Sequence, residues 1–188
     1  PGLIDSHVHM AGFGFMVETF DLRSVNSVAE VAAIVAKRAA ALPPGAWVQG
    51  RAWDQTNWGG EFPDHTALTK ASPDRPVYLT RVDGHAAWVN RKALEIAGIT
   101  KDTPDPMGGK IVRDAKGEAT GILIDRAQGL VSSKIPPATD DQIRQRLRAA
   151  AWCGAGGRAA AGSGAPPLPQ SWLPPLPAAA LYARAPPP

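Results

Sequence analysis

The sequence predicts an α/β protein whose first strand carries chemistry, and three observations predict it. The chain opens on an apolar run, Pro1-Gly2-Leu3-Ile4, that leads straight into Asp5-Ser6-His7-Val8-His9. Helical stretches with one apolar face then alternate with short strand-like runs, and a polar turn joins two such runs late in the chain. Side chains alternate faces along an extended strand, so Asp5, His7 and His9 share one side while Ile4 and Val8 take the other. Two imidazoles on one face make half of a metal site. Imidazole ligates zinc, iron, nickel or copper, and a rigid strand fixes both nitrogens in advance, so chelation loses little freedom. A His-x-His also arises by chance on strands, but here the apolar approach places the pair at the carboxyl end of a buried strand, where barrel enzymes keep their chemistry.

The remaining elements follow in order. Ser27 and Glu30 form a capping box, and Val28, Val31, Ala32, Ile34 and Val35 make one apolar stripe, so a helix runs from Ser27 to Leu42. Pro43, Pro44 and Gly45 stop it. A short strand is expected at Ala46 to Gly50, a loop at Asp54 to Pro63, a helical turn at Thr66 to Lys70 and a strand at Pro76 to Val82. Asn90 caps a helix over Arg91 to Ala97, and Gly98 suits the left-handed position that ends it. Lys110 to Arg113 and Ala119 to Ile124 read as two strands joined through Asp114-Ala115-Lys116-Gly117. A last helix is expected over Thr139 to Ala150.

Several tracts together resemble the metal-dependent amidohydrolase superfamily, and within it amidohydrolase family 3. They are the opening Pro-Gly-Leu-Ile-Asp-Ser-His-Val-His, then Asp21-Leu22-Arg23 with Ser27, and Trp47-Val48-Gln49-Gly50-Arg51-Ala52-Trp53-Asp54. Next come Arg75-Pro76-Val77-Tyr78-Leu79, Val82-Asp83-Gly84-His85-Ala86-Ala87-Trp88-Val89-Asn90, Pro106-Met107-Gly108-Gly109 and Gly117-Glu118-Ala119-Thr120-Gly121-Ile122-Leu123. The tracts cover roughly residues 1 to 148 in the family's order and spacing. The resemblance implies a hydrolase of carbon–nitrogen bonds other than peptide bonds, with one or two divalent metals, zinc foremost, in a (β/α)8 barrel of the TIM type. It implies a partial barrel in residues 1–148: the first strand and its loop in 1–20, and an α+β insertion in 21–135. The family's bridging ligand, two later histidines and late aspartate fall beyond the resemblance, so no catalytic residue is carried over, and the fragment alone is expected to be inactive.

Individual residues can then be weighed. His7 and His9 are the candidate metal ligands. Asp5, two residues back on the same face, either orients an imidazole, caps a turn or pairs with a neighbouring lysine. In Asp83-Gly84-His85 the glycine permits a sharp turn after a strand, so His85 either reaches substrate or a developing oxyanion, or is a core histidine bonded to backbone or to Asp83. His65, beside Pro63 and Asp64, reads as a surface or capping residue. Trp53 and Trp58 are expected near a pocket, and Trp47 and Trp88 in packing. Arg51 and Asp54 flank Trp53 as a candidate ion pair.

Composition limits the partners. The chain has 188 residues and a net charge of +3, whereas a full barrel needs about 250 residues. The charge excess is not a basic face: residues 151 to 188 hold Arg158 and Arg184 and no acid. A clustered basic footprint is missing, so nucleic acid is not an expected partner; a small amide-type molecule is. No signal-like segment or membrane-length apolar run is present, so no membrane partner is expected and the expected location is cytoplasmic. The lone cysteine, Cys153, allows no internal disulfide. Residues 149–188 turn to Ala, Pro and Gly, with too little apolar surface to offset ordering, and are expected to be disordered or translated out of frame.

Two other classes compete. Asp-x-His-x-His strands also open PHP-type phosphoesterases and resemble the start of TatD-like nucleases, although Val82 to Asn90 argues against both. A non-enzymatic interaction module would use Pro166-Pro167-Leu168-Pro169 and Pro174-Pro175-Leu176-Pro177 as polyproline ligands.

Overall fold

A computed structural model describes residues 12, 14–16 and 19–156. The chain divides into two compact units, Phe20–Pro136 and the two flanking segments together.

The Phe20–Pro136 unit is built on a six-stranded mixed sheet. Its strands are β1 (Phe20–Asp21), β2 (Val48–Trp53), β3 (Val77–Arg81), β4 (Ala86–Val89), β5 (Gly109–Arg113) and β6 (Ala119–Asp125), in the order β1-β2-β3-β4-β6-β5. The first three are parallel to one another, and every later pairing is antiparallel. Helices α1 (Val28–Ala41) and α2 (Thr66–Ala71) serve as crossovers between the parallel strands, as a parallel pair requires. Helices α3 (Arg91–Ala97) and α4 (Gln128–Ser132) follow β4 and β6.

Alternation along the strands explains why both faces are covered. Ala86 and Trp88 of β4 join Val31, Val35, Leu68, Val77, Leu79 and Ile122 in one core. Ala87 and Val89 join Ala93, Leu94, Ile111, Leu123 and Val131 in the other. All four β4 residues are buried, as befits a central strand with packing on both sides.

The caps are those that the sequence specifies. Ser27 Oγ accepts the Glu30 N–H at 3.2 Å, while Glu30 reaches back to the Asn26 N–H at 2.9 Å, one residue earlier than an ideal capping box. Gly98 ends α3 in the left-handed conformation at φ 68°. Asn90, wholly buried, accepts the N–H of Ala93 at 3.0 Å and of Val77 at 2.9 Å, and donates to the carbonyls of Ser72 and Arg75. One carboxamide thereby starts α3 and anchors the first residue of β3.

Strand β2 carries a bulge. Arg51 pairs with Thr80 but Trp53 with Arg81, and Ala52 between them has φ 66°. Both Ala52 and Trp53 are buried as a result. β2 therefore runs three residues past the expected Gly50, carried on by the bulge.

In the other unit, α5 (Asp140–Gly156) opens on a reciprocal cap between Thr139 and Gln142. The helix continues to Gly156, beyond the expected Ala150. The Arg146 guanidinium stands 5.2 Å from the Phe15 ring centre. Among the described residues no helix is long and apolar enough to cross a membrane. Asp5, His7 and His9, and the proline-rich stretch from residue 157 onward, lie outside the described residues.

Candidate functional site

The carboxyl ends of β2, β3 and β6 and the start of β4 meet along one edge of the sheet, because β4 runs antiparallel to both β3 and β6. In open α/β sheets this edge beyond the carboxyl ends of the parallel strands is where ligands bind. Asp54, Arg81, Asp83, His85 and Asp125 are gathered there.

The turn from β3 to β4 is built around Asp83. Its carboxylate accepts the His85 N–H at 3.0 Å and pairs with the Arg81 guanidinium. Gly84, at φ 78°, makes the sharp turn that the sequence called for. Arg81 also donates to Gln55 Oε1 at 2.8 Å and lies 3.7 Å from Asp54. Its charge is therefore shared among three neighbours.

His85 projects from this turn with 74% of its side chain exposed. Nδ1 lies 2.8 Å from Asp125 Oδ1, and the His85 carbonyl accepts the Asp125 N–H at 2.8 Å. Of the readings open in the sequence, a buried core histidine is excluded. The hydrogen bond to Asp125 raises the His85 pKa above its ordinary value, the Asp125 and Asp83 charges add to the rise, and Arg81 opposes it. Asp54 is shifted the other way: hydrogen bonds from the Thr56 hydroxyl and N–H hold its carboxyl below the usual value, and Arg81 adds to this. That carboxylate caps the short 3-10 turn Gln55–Trp58.

Three tryptophans, Trp53, Trp58 and Trp88, lie on the α1/α2 face. Trp53 is fully buried, and its indole N–H donates to the Leu79 carbonyl at 2.9 Å. Its ring stacks on Trp58 at 6.4 Å and meets Trp88 edge-on at 5.9 Å. The expectation of Trp53 beside a pocket is thereby corrected: the bulge at Ala52 turns its indole into the core. Trp58 is half-buried in the same cluster, and its indole N–H is enclosed with no hydrogen-bond partner among the described residues. Trp88 is core, as expected, and donates to the Asp64 carbonyl; Trp47 packs against the second core. An open hollow of about 550 Å³ lies between α1 and α2, lined by alanines with Asp64, Thr66 and Lys70. None of the carboxyl-edge residues lines it.

Two further placements differ from expectation or refine it. Arg51 pairs with Asp21 at 2.9 Å rather than with Asp54, since the parallel β1–β2 register sets the two opposite each other. His65 stands just before α2 and contacts the Thr69 hydroxyl through Nδ1 at 3.3 Å, but its side chain caps no backbone N–H; the Asp64 carboxylate accepts that of Thr66 at 2.7 Å. The sequence reading missed Asp125 and Arg81. The polar residue closing the apolar run Ile122-Leu123-Ile124 was a signal for Asp125, but its partner became visible only once β4 was known to pair with β6.

Among the described residues no three His, Cys, Asp or Glu side chains converge on a metal position. A match to the amidohydrolase family spans residues 1–167, past the residue at which the resemblance was expected to end. YtcJ of Bacillus subtilis is 40% identical over 153 residues, which are 80% of this chain and 28% of YtcJ. The N-substituted formamide deformylase of Arthrobacter pascens is 32% identical over 136 residues, 71% of this chain and 25% of that protein. The crystal structure of an uncharacterized metal-dependent hydrolase from Pyrococcus furiosus superposes with a TM-score of 0.57 at 28% identity, over 80% of this chain and 28% of that one. The chain thus spans roughly a quarter of the length of the relatives it matches. With the match running through the His-x-His opening and the Asp83-Gly84-His85 turn alike, the chain belongs to the amidohydrolase family.

Proposed function

We propose that this chain is a part of a metal-dependent hydrolase acting on carbon–nitrogen bonds other than peptide bonds. The carrying observation is the family match over residues 1–167, which includes Asp5, His7 and His9; the formamide deformylase among its relatives supports an amide-type substrate. In this reading residues 1–20 form the first strand of a TIM-type barrel and its loop, and residues 21–135 an α+β insertion.

His7 and His9 hold the cation, and Asp5 orients one of the rings. The donor set fits a borderline metal such as zinc, with two neutral imidazoles one residue apart on a strand. A bound divalent cation supplies a Lewis acid and a water whose pKa falls toward neutrality. Within the Phe20–Pro136 unit, Asp83 fixes the backbone of His85, and His85 offers its outer ring nitrogen to the substrate. Two imidazoles are fewer than the three protein ligands of an ordinary catalytic zinc site, so turnover belongs to a protein of the relatives' length.

Zinc titration of the purified chain by calorimetry tests this reading, alongside turnover assays with N-substituted formamides and cyclic amides. Weak zinc binding that disappears in the His7→Ala/His9→Ala variant, without turnover, is expected. Zinc binding indifferent to that double substitution would refute the ligand assignment. Submicromolar binding with amide turnover would show that these residues suffice by themselves.

A further inference from the structure

His85 is held at three of its four hydrogen-bonding atoms. Its N–H is bound by the Asp83 carboxylate, its carbonyl by the Asp125 N–H, and Nδ1 by Asp125 Oδ1. Nε2 has no partner among the described residues, and the side chain is largely exposed. Asp125 thus holds one residue with both its backbone and its side chain.

Asp125 itself is in an unusual conformation. It is the last residue of β6 and has φ 47°, in the left-handed region that side-chain-bearing residues rarely adopt. Its position is imposed by the ladder on both sides: Ile124 pairs with Ala86 of β4, and Asp125 itself with Gly109 of β5. A surface ion pair between flexible side chains needs no such backbone. A conformation of this kind persists where its surroundings determine it, and such positions cluster at functional sites.

The chemistry of the contact fixes the proton. An ionised carboxylate only accepts hydrogen bonds, so the nitrogen facing it must carry a hydrogen. In neutral imidazole the other nitrogen is then a lone-pair acceptor; in the imidazolium it is a second donor. We infer that Asp125 is a positioning residue that holds the His85 ring with Nδ1 protonated and Nε2 directed outward, as the one ring atom available to an amide-type substrate.

This inference rests on the proposed reading of His85 as a substrate-facing residue only for its last clause. The ring geometry stands independently of it. The charged groups around the ring are Asp125 at the end of β6 and Asp83 and Arg81 on the β3–β4 turn. The two carboxylates favour the imidazolium; in that form Nε2–H donates to a carbonyl oxygen, and in the neutral form Nε2 accepts.

Long-range nitrogen–proton NMR correlations of the His85 ring in the 188-residue chain read the tautomer directly. The expected result is a neutral form that is predominantly Nδ1–H, with titration above the ordinary histidine range. Asp125→Asn keeps an accepting oxygen and removes the charge, so the tautomer should persist while the titration falls. Asp125→Ala should move the ring at least about fivefold toward the common Nε2–H tautomer. Asp83→Ala should lower the titration and leave the tautomer alone. A wild-type ring in the Nε2–H form would overturn the inference, and so would Asp125→Asn or Asp125→Ala spectra identical to wild type. In a protein of the relatives' length, amide turnover unchanged by His85→Gln despite a correctly held ring would sink only the substrate-facing reading.

Discussion

The Asn90 side chain binds the backbone N–H of Val77 thirteen residues before it, at 2.9 Å, and caps α3 through the same oxygen. Its amide nitrogen meanwhile donates to two carbonyls, those of Ser72 and Arg75, at 2.7 and 2.9 Å. A wholly buried side chain with its donors and acceptor all engaged is costly to truncate, since several backbone groups are orphaned at once.

Asn90→Ala is therefore expected to destabilise the chain by roughly 2 to 4 kcal/mol, combining the loss of a helix cap with buried unsatisfied groups. Urea denaturation checks this. A loss below half a kilocalorie would mean that the network relaxes or fills with water.

Trp53 makes a second test. Trp53→Ala should cost about 3 to 5 kcal/mol, the range for emptying a large aromatic site in a core. Trp53→Phe keeps ring packing against Trp58 and Trp88 and loses the bond to the Leu79 carbonyl, so about 1 to 2 kcal/mol is expected. Thermal unfolding followed by near-UV circular dichroism separates the two.

The His85–Asp125 pair gives stability a defined pH dependence. The His85 pKa is raised by Asp125 above the ordinary 6.5. The stabilisation is fully present below that ordinary value and is lost as pH rises through the higher folded value. The wild-type advantage over Asp125→Asn should then be larger at about pH 5.5 than at about pH 9, and smaller in high salt because the pair is exposed. Denaturation at both pH values measures it; an advantage that grows with pH would contradict the pairing.

Ser27→Ala should cost about 1 kcal/mol by removing the acceptor for the Glu30 N–H at the start of α1. Ser27→Gly should cost only a few tenths. Urea midpoints of the two variants provide the comparison.

Local signals carried most of the fold. The α1 cap, the Asn90 and Gly98 boundaries of α3, and the hairpin turn at Asp114 to Gly117 are each written within a few residues, and each element formed where expected. Strand β4 was missed for a physical reason: Ala86-Ala87-Trp88-Val89 is short and buried on both faces, so it shows no alternation. Without β4, nothing in the sequence could bring Asp125 to His85 across forty positions. The short α4 also escaped, since its five residues lack a side-chain cap. Arg51 and Asp54 suggested a pair by proximity in sequence, and the register of β1 on β2 gave Arg51 to Asp21 instead.

The extra residue at Ala52 sets the phase of everything that follows on β2. Were the strand drawn into one regular ladder with Ala52 kept, alternation would send the Trp53 indole to the face now held by Arg51 and swing Asp54 away from Arg81. Straightening the strand would thus empty the aromatic interior and disarm the polar rim together, whereas losing Ala52 itself leaves Trp53 opposite Arg81 as before. The kink at this point of the chain is as constraining as any side chain in it.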